Sequence, residues 1–153
     1  MRVRKLLLIV PLLLAFPLQA QELRVAELGE CALESGAVLA PCDVSYRTYG
    51  ELNANRDNAI LISTWFGGNS AAWTGILGGR LIDLEGFYTI VVDAFGNGVS
   101  TSPTNSPTQG GDAFPLVSIG DMVQAQHRLV TEVQGLDGLY AVMGISMGGM
   151  QTF

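Results

Sequence analysis

The residues with the clearest chemical potential lie at Gly144-Ile-Ser-Met-Gly148, which has the form G-x-S-x-G. A serine hydroxyl is a weak nucleophile in an ordinary setting. It becomes useful when a sharp turn holds it clear of its neighbours and beside N–H groups that stabilise an oxyanion. This spacing, from the end of a strand to the start of a helix, forces Ser146 into such a turn, with its hydroxyl at the top of a sheet. Glycines at 144 and 148 remove side chains that would collide with the adjoining strand and helix. The Met147 N–H then stands as one oxyanion donor at the new helix's N-terminus. The apolar run Leu139-Tyr-Ala-Val-Met143 ahead and Gly149-Met150 behind supply the strand–turn–helix context. The competing reading is a tight turn with a purely structural role.

A second donor is expected from the loop Trp65-Phe-Gly-Gly-Asn69, where Gly67 and Gly68 let the backbone bend close to the serine. Phe66 N–H is the leading candidate and Gly67 N–H the alternative. The plainer role for Trp65 and Phe66 is packing over the sheet edge, and the two roles are compatible. Asp93, which opens Asp93-Ala-Phe-Gly-Asn-Gly-Val-Ser100, sits where a triad acid might be sought. The acid and histidine of a G-x-S-x-G triad follow the serine in chain order, so Asp93 is read as bonding the turn it begins. His127, the chain's one histidine, also precedes the serine and falls mid-helix, so it is read as a surface or boundary residue. The seven residues after Ser146 contain neither an acid nor a base.

These groups need elements to position them. Asp43 to Tyr49 alternates in the manner of a half-buried strand, and Leu33 to Leu39, interrupted at Ser35-Gly36, reads as a hairpin or bent strand pair. Ala59 to Thr64, Tyr88 to Val92 and Leu139 to Met143 are almost continuously apolar, as inner strands of a parallel sheet covered on both faces must be. Trp73, Ile76, Leu77, Leu81 and Leu84 predict a helix weakened by Gly75, Gly78 and Gly79. A second helix starts near Ser118, with Asp121 completing a short capping box, and ends at Gly135. Residues 96–112 predict a long loop with little structure of its own, a functional rim. The order is that of an α/β fold with a mostly parallel sheet and an antiparallel hairpin at one edge.

Arg2, Arg4 and Lys5, then an apolar stretch from Leu6 to Leu18 and a small Ala20, form the layout of a secretory signal peptide spanning residues 1–20. The competing reading, a membrane anchor, needs about 20 unbroken apolar residues, and Pro11 and Pro17 interrupt this run. Without residues 1–20 the chain keeps 5 basic against 14 acidic side chains, formally −9. Such a surface repels phosphate backbones, so nucleic acid is not an expected partner. Residues 21–153 are long enough for one domain core. Cys31 and Cys42 either form a disulfide, as export would favour, or stay as two buried thiols. With one histidine in the chain, no multi-histidine metal site is expected, and no cofactor is.

Four stretches together resemble the homoserine O-acetyltransferase family of the α/β-hydrolase superfamily. They are Leu33-Glu-Ser-Gly-Ala-Val-Leu39, Val44-Ser-Tyr-Arg-Thr-Tyr-Gly-Glu-Leu52, Phe114-Pro-Leu-Val-Ser-Ile-Gly-Asp-Met-Val-Gln-Ala-Gln126 and Gly144-Ile-Ser-Met-Gly-Gly-Met-Gln151. The resemblance implies an α/β-hydrolase fold in which Ser146 attacks an acyl donor and a downstream Asp and His complete the triad. Those two have no counterpart in this chain. The family typically acts in the cytoplasm, whereas this chain looks exported, and its Asp93–Ser100 turn looks more like that of a hydrolase. The chain is therefore expected to be the N-terminal part of a secreted or periplasmic relative in which water accepts the acyl group of a small ester or thioester. True O-acyl transfer and a noncatalytic binding protein or inactive fragment are the alternatives. Alone, the chain is expected to lack triad-dependent turnover, to keep no stable membrane anchor after signal cleavage, and to self-associate through an open sheet edge at Leu139 to Met143.

Overall fold

The computed structural model describes residues 22–77 and 84–153. The signal-peptide reading of residues 1–20, and Gly78, Gly79 and Leu81 of the first predicted helix, lie outside these residues.

Among the described residues there are seven strands: β1 (Arg24–Glu27), β2 (Cys31–Ala32), β3 (Val38–Leu39), β4 (Asp43–Tyr49), β5 (Ala59–Ser63), β6 (Tyr88–Val92) and β7 (Ala141–Gly144). Five make one sheet in the order β1-β4-β6-β5-β7, while β2 and β3 form a separate hairpin. Both β6 and β7 run parallel to β5, and β4 is antiparallel to β6 and β1. An antiparallel edge is present, but it is formed by β1 with β4 and not by the first two predicted strands. The β2–β3 hairpin, Cys31 to Leu39, forms its own sheet, and β1, with only Ala26 buried, offered no periodic signal.

The continuous apolar strands follow from a sheet covered on both sides. Ala59 and Leu61 of β5 with Ile90 and Val92 of β6 face a core shared with Leu39, Val44, Met122, Ala125, Leu129 and Val130. Ile60, Ile62 and Val91 face the other way, onto Tyr49, Trp73 and Leu77. Strand β4 is more buried than its alternation suggests, because Ser45 and Thr48 on its polar positions are enclosed too. Ser45 accounts for this burial: its N–H bonds Ser100 Oγ at 2.9 Å and its hydroxyl bonds the Val99 carbonyl at 3.0 Å, so the polar face is sealed by a loop.

Among the described residues of the helix predicted from Trp73 to Leu84, α1 (Ser70–Trp73) ends at Trp73 and Thr74 to Ile76 make a turn. Gly75 and the absence of capping after it leave little to propagate a helix there. Helix α2 (Ile119–Arg128) has the predicted start. Ser118 Oγ accepts the Asp121 N–H at 3.1 Å, and Asp121 accepts the Ser118 N–H at 2.8 Å. It passes into a π-type turn over Leu129–Val133 and stops at Gly135, whose φ is 62°. The chain segment from Leu28 to Cys42 braces this helix at both ends. Arg128 donates to the Leu28 and Glu30 carbonyls, and Asp121 accepts the Glu34 N–H. Cys31 and Cys42 are joined by a disulfide within that segment. Among the described residues no helix is long and apolar enough to cross a membrane.

Residues 96–112 are less formless than their composition suggests. Ser102 Oγ accepts the Gly98 N–H and donates to the Ser100 carbonyl, while Asn105 accepts the Ser102 N–H. Ser100 and Ser102 are fully buried. Short polar side chains here take the place of a backbone ladder.

Candidate active site

The strand register brings three loops to one place. Ser63, at the end of β5, pairs with Val92 of β6 on one side and Gly144 of β7 on the other. All three strands are parallel, so the segments after Ser63, Val92 and Gly144 emerge together at the carboxyl edge of the sheet. That edge is where open α/β sheets place their ligands.

After β7 the chain turns sharply at Ser146 into α3 (Met147–Met150). Ser146 has φ 56° and ψ −124°, a backbone conformation that L residues rarely adopt, and it is exposed. Gly148 N–H bonds the Ile145 carbonyl at 3.0 Å and Met150 N–H bonds the Ser146 carbonyl at 3.1 Å, which locks the turn. Both flanking glycines are needed for space. A Cβ on Gly144 would run into the backbone of Gly148 and lie 2.6 Å from the Gly149 nitrogen. One on Gly148 would strike the Ser63 carbonyl and lie 3.0 Å from the Thr64 oxygen. The turn is pressed against the end of β5.

The segment after β5 is held just as firmly. Thr64 is buried, its N–H bonding the Val92 carbonyl at 3.2 Å and its hydroxyl accepting the Ala94 N–H at 3.0 Å. Gly67 takes φ 70° in the turn closed by Gly68 N–H to the Trp65 carbonyl. Gly68 has no room for a side chain because the Trp65 indole lies against it, and that ring contacts Trp73 at a centroid distance of 5.8 Å. Phe66 is not packed over the sheet edge; it is 83% exposed. Among the described residues the Phe66, Gly67 and Met147 amides have no recorded acceptor. Unpaired N–H groups at a turn and a helix start are available to an incoming anion.

Asp93 is buried and bonds the neighbouring loop rather than any triad partner. Its carboxylate accepts the Ser70 N–H and hydroxyl, both at 2.7 Å, and the Asn97 amide at 3.1 Å. Burial raises its pKa above the usual value, with the Ser70 and Asn97 hydrogen bonds opposing. Asn97 also donates to the Gly68 carbonyl at 3.0 Å, tying this turn to the loop after β5. His127 lies exposed on α2.

A cavity of about 730 Å³ opens beside these loops. Phe66, Gly67 and Met147 line it together with Phe95, Phe114 and Met122. Asp112, from the 96–112 loop, is also among its lining residues. Of the sequence-derived site residues, the structure thus brings Phe66, Gly67 and Met147 to one space, while Ser146, the chain neighbour of Met147, is exposed and is not part of that lining. Among the described residues no three His, Cys, Asp or Glu side chains are grouped as a metal site would need.

Two buried residues escaped the sequence reading. Gln126 and Gln151 lie beneath the turn, each less than 5% exposed. Gln126 falls beside the apolar face of α2 and Gln151 follows a glycine-rich stretch, so neither has a periodic signal. The one pointer was that each closes a stretch carrying the family resemblance.

No protein-family model matches the chain. It is 42% identical over 129 residues to an ethyl acetate hydrolase of Pseudomonas veronii, an alignment covering 82% of this chain and 37% of that protein. It is 39% identical over 142 residues to a homoserine O-acetyltransferase of Geotalea uraniireducens, covering 80% and 38%. Among solved structures, the acetyl esterase MekB superposes with a TM-score of 0.81 at 40% identity, covering 87% of this chain and 39% of that one. A homoserine O-acetyltransferase of Staphylococcus aureus superposes with a TM-score of 0.71 at 25% identity, covering 86% and 41%. The chain spans about two fifths of the length of the relatives it matches. Over that span it has the α/β-hydrolase fold and is a relative of the esterases and homoserine O-acetyltransferases of that class.

Proposed function

We propose that this chain is the nucleophile-bearing part of an exported serine hydrolase that cleaves a small ester or thioester. Ser146 is the nucleophile. The amides of Met147 and Phe66, with Gly67 as the alternative, are the oxyanion donors. The observation that carries this reading is the Ser146 backbone, held at φ 56° between β7 and α3 while the side chain stays exposed. A non-glycine residue kept in such a conformation costs about 1–3 kcal/mol, and such costs cluster at functional sites.

In the mechanism, Ser146 Oγ attacks the acyl carbonyl while a histidine, oriented by an acid, takes its proton. The carbonyl oxygen becomes an oxyanion facing the two amides. Collapse expels the alcohol or thiol, which recovers the proton, and leaves an acyl-serine. Water then attacks the acyl-serine by the same route and frees the acid. The acid and the histidine are assigned to the remaining three fifths of the fold, which the relatives possess.

The cavity favours a substrate without negative charge, since its lining is largely apolar and includes Asp112. The Pseudomonas relative is named for a small neutral ester. Transfer to a hydroxyl acceptor is the second reading, favoured by the homoserine O-acetyltransferase relatives. Export by cleavage after Ala20 is supported by the Cys31–Cys42 disulfide, a bond of oxidising compartments. The edge of β7, where Tyr140 and Val142 are exposed, supports self-association of residues 21–153 produced alone.

The test is reaction of the protein, translated from its complete reading frame, with a fluorophosphonate and with short-chain aryl esters. Labelling at Ser146 and loss of at least 10³-fold in kcat on Ser146→Ala are expected. Turnover that survives Ser146→Ala would overturn the proposal. Adding alcohols separates the two readings, because a transferase diverts its acyl group to them and a hydrolase releases acid.

A further inference from the structure

Beneath the turn runs a continuous chain of buried side-chain hydrogen bonds. Ser63 Oγ donates to Gln126 Oε1 at 3.0 Å, and Gln126 Nε2 donates to Gln151 Oε1. Gln151 Nε2 then donates to two carbonyls, Met147 at 3.2 Å and Thr64 at 3.4 Å. Ser63 and Thr64 are fully buried, and Gln126 and Gln151 are 4% and 3% exposed. The chain joins the end of β5, the interior face of α2 and the start of α3.

We propose that Gln151, steadied by Gln126, is a positioning residue that sets the separation of the two oxyanion donors. This rests on the reading of Ser146 as the nucleophile. The two carbonyls it grips are well placed for that task. The Met147 carbonyl lies one peptide beyond the Met147 N–H, and the Thr64 carbonyl lies one peptide before the Phe66 N–H. A single primary amide therefore bonds both donor-bearing segments. Its directions are fixed, because Gln151 Oε1 is occupied by Gln126 and only Nε2 faces the carbonyls. Burying two amides is costly unless their groups are paired, and a network paired along its length also fixes geometry more sharply than an apolar contact. Gln126 acts at one remove, touching neither donor segment except through Gln151 and the Ser63 hydroxyl.

Two shape-preserving substitutions test this in the complete protein, Gln151→Met and Gln126→Met. A displacement near 1 Å at a reacting centre costs up to about 10²-fold in rate. Both variants are therefore expected to lose about 10- to 100-fold in kcat, with KM changed less than twofold. A residue that only packs would lower the melting temperature and leave the kcat of the folded fraction intact. The second readout is amide hydrogen exchange, which needs no turnover. Exchange is expected to quicken together in peptides covering residues 64–69 and 145–151, in both variants, while residues 88–92 stay protected. Unchanged kcat, a rise in KM in place of the fall in kcat, or exchange quickening in the 145–151 peptide alone would each overturn the proposal. If Ser146→Ala leaves turnover intact, the nucleophile reading fails separately, and joint or separate exchange in the two peptides still decides whether Gln151 couples them.

Discussion

Substituting Gly148 by alanine adds one methyl group at the point where the turn meets the central strand. The obstruction is backbone: the new Cβ would strike the Ser63 carbonyl and stand 3.0 Å from both the Ser63 carbonyl carbon and the Thr64 oxygen. Ordinary contacts of this kind need roughly 3.5–4.0 Å. No side chain can swing aside, so the start of α3 must retreat by roughly 0.5–1 Å or β5 must yield. Strand β5 is hydrogen-bonded to neighbours on both sides and fully buried, so the turn moves. Overpacking of this kind costs about 1–3 kcal/mol in stability. The catalytic loss should be larger in proportion, because Met147 N–H and Ser146 ride on the displaced segment, and about 10²-fold in kcat is expected. Gly138→Ala is the control, since nothing lies within 4 Å of its added Cβ; its kcat should be unchanged. Steady-state kinetics on an aryl ester, with thermal unfolding of the same preparations, make the comparison. If Gly148→Ala matches the wild type in both kcat and melting temperature, the turn is not seated on β5, and the account of its rigidity fails.

Two further outcomes follow from the same geometry. Burial raises the Asp93 pKa above 3.8, so the folded state holds its proton more tightly than the unfolded chain; the resulting stability is present below pH 3.8 and lost as pH rises through the folded pKa. Asp93→Asn removes that dependence, so the wild type's stability relative to the variant, read from urea midpoints, should fall across this window; a constant difference would refute the assignment. Ser146→Gly removes the hydroxyl and also relieves the strain of a Cβ at φ 56°, whereas Ser146→Ala removes the hydroxyl and keeps the strain. Glycine should therefore be the more stable of two inactive variants by about 1 kcal/mol, the relief being partly offset by glycine's greater chain entropy; equal melting temperatures would mean the turn is not strained.

Much of this arrangement was readable from residues alone, for a definite reason. Strands β5 and β6 are covered on both faces, so their runs stay apolar apart from Ser63 and Thr89 and show no alternation to blur. The Ser118–Asp121 box and Gly135 mark α2 because caps are local, set by residues a few positions apart. What escaped was non-local. Strand β1 exists through its pairing with β4, about twenty residues away in sequence, and its own side chains are mostly exposed. The helix predicted from Trp73 is interrupted at its start, because α1 stops at Trp73 and Thr74 to Ile76 turn beside Gly75, where apolar spacing had outweighed the glycine. At the site, the G-x-S-x-G spacing located the strained serine. The polar network of Gln126 and Gln151 remained hidden, since a buried glutamine looks like an exposed one until its partners are known.

That contrast bears on how the site is held together. The turn at Ser146 is unfavourable locally, and the four-residue helix after it is too short to impose a conformation. Its stability must come from what surrounds it, and the surroundings act in two ways. Glycines at 144 and 148 let backbone meet backbone at a distance no side chain allows, which fixes how deeply the turn sits. That contact is steric, so it sets a limit of approach and exerts no pull. An attraction is what we propose for Gln151, whose amide bonds the Met147 and Thr64 carbonyls. A contact that stops the segments and a hydrogen bond that gathers them define a separation; either alone would leave it free in one direction. Two different perturbations should then have the same structural sign. Alanine at 148 is expected to push the turn away from β5 and methionine at 151 to let it drift from β5, so both should widen the gap between the proposed donor amides and slow the same step.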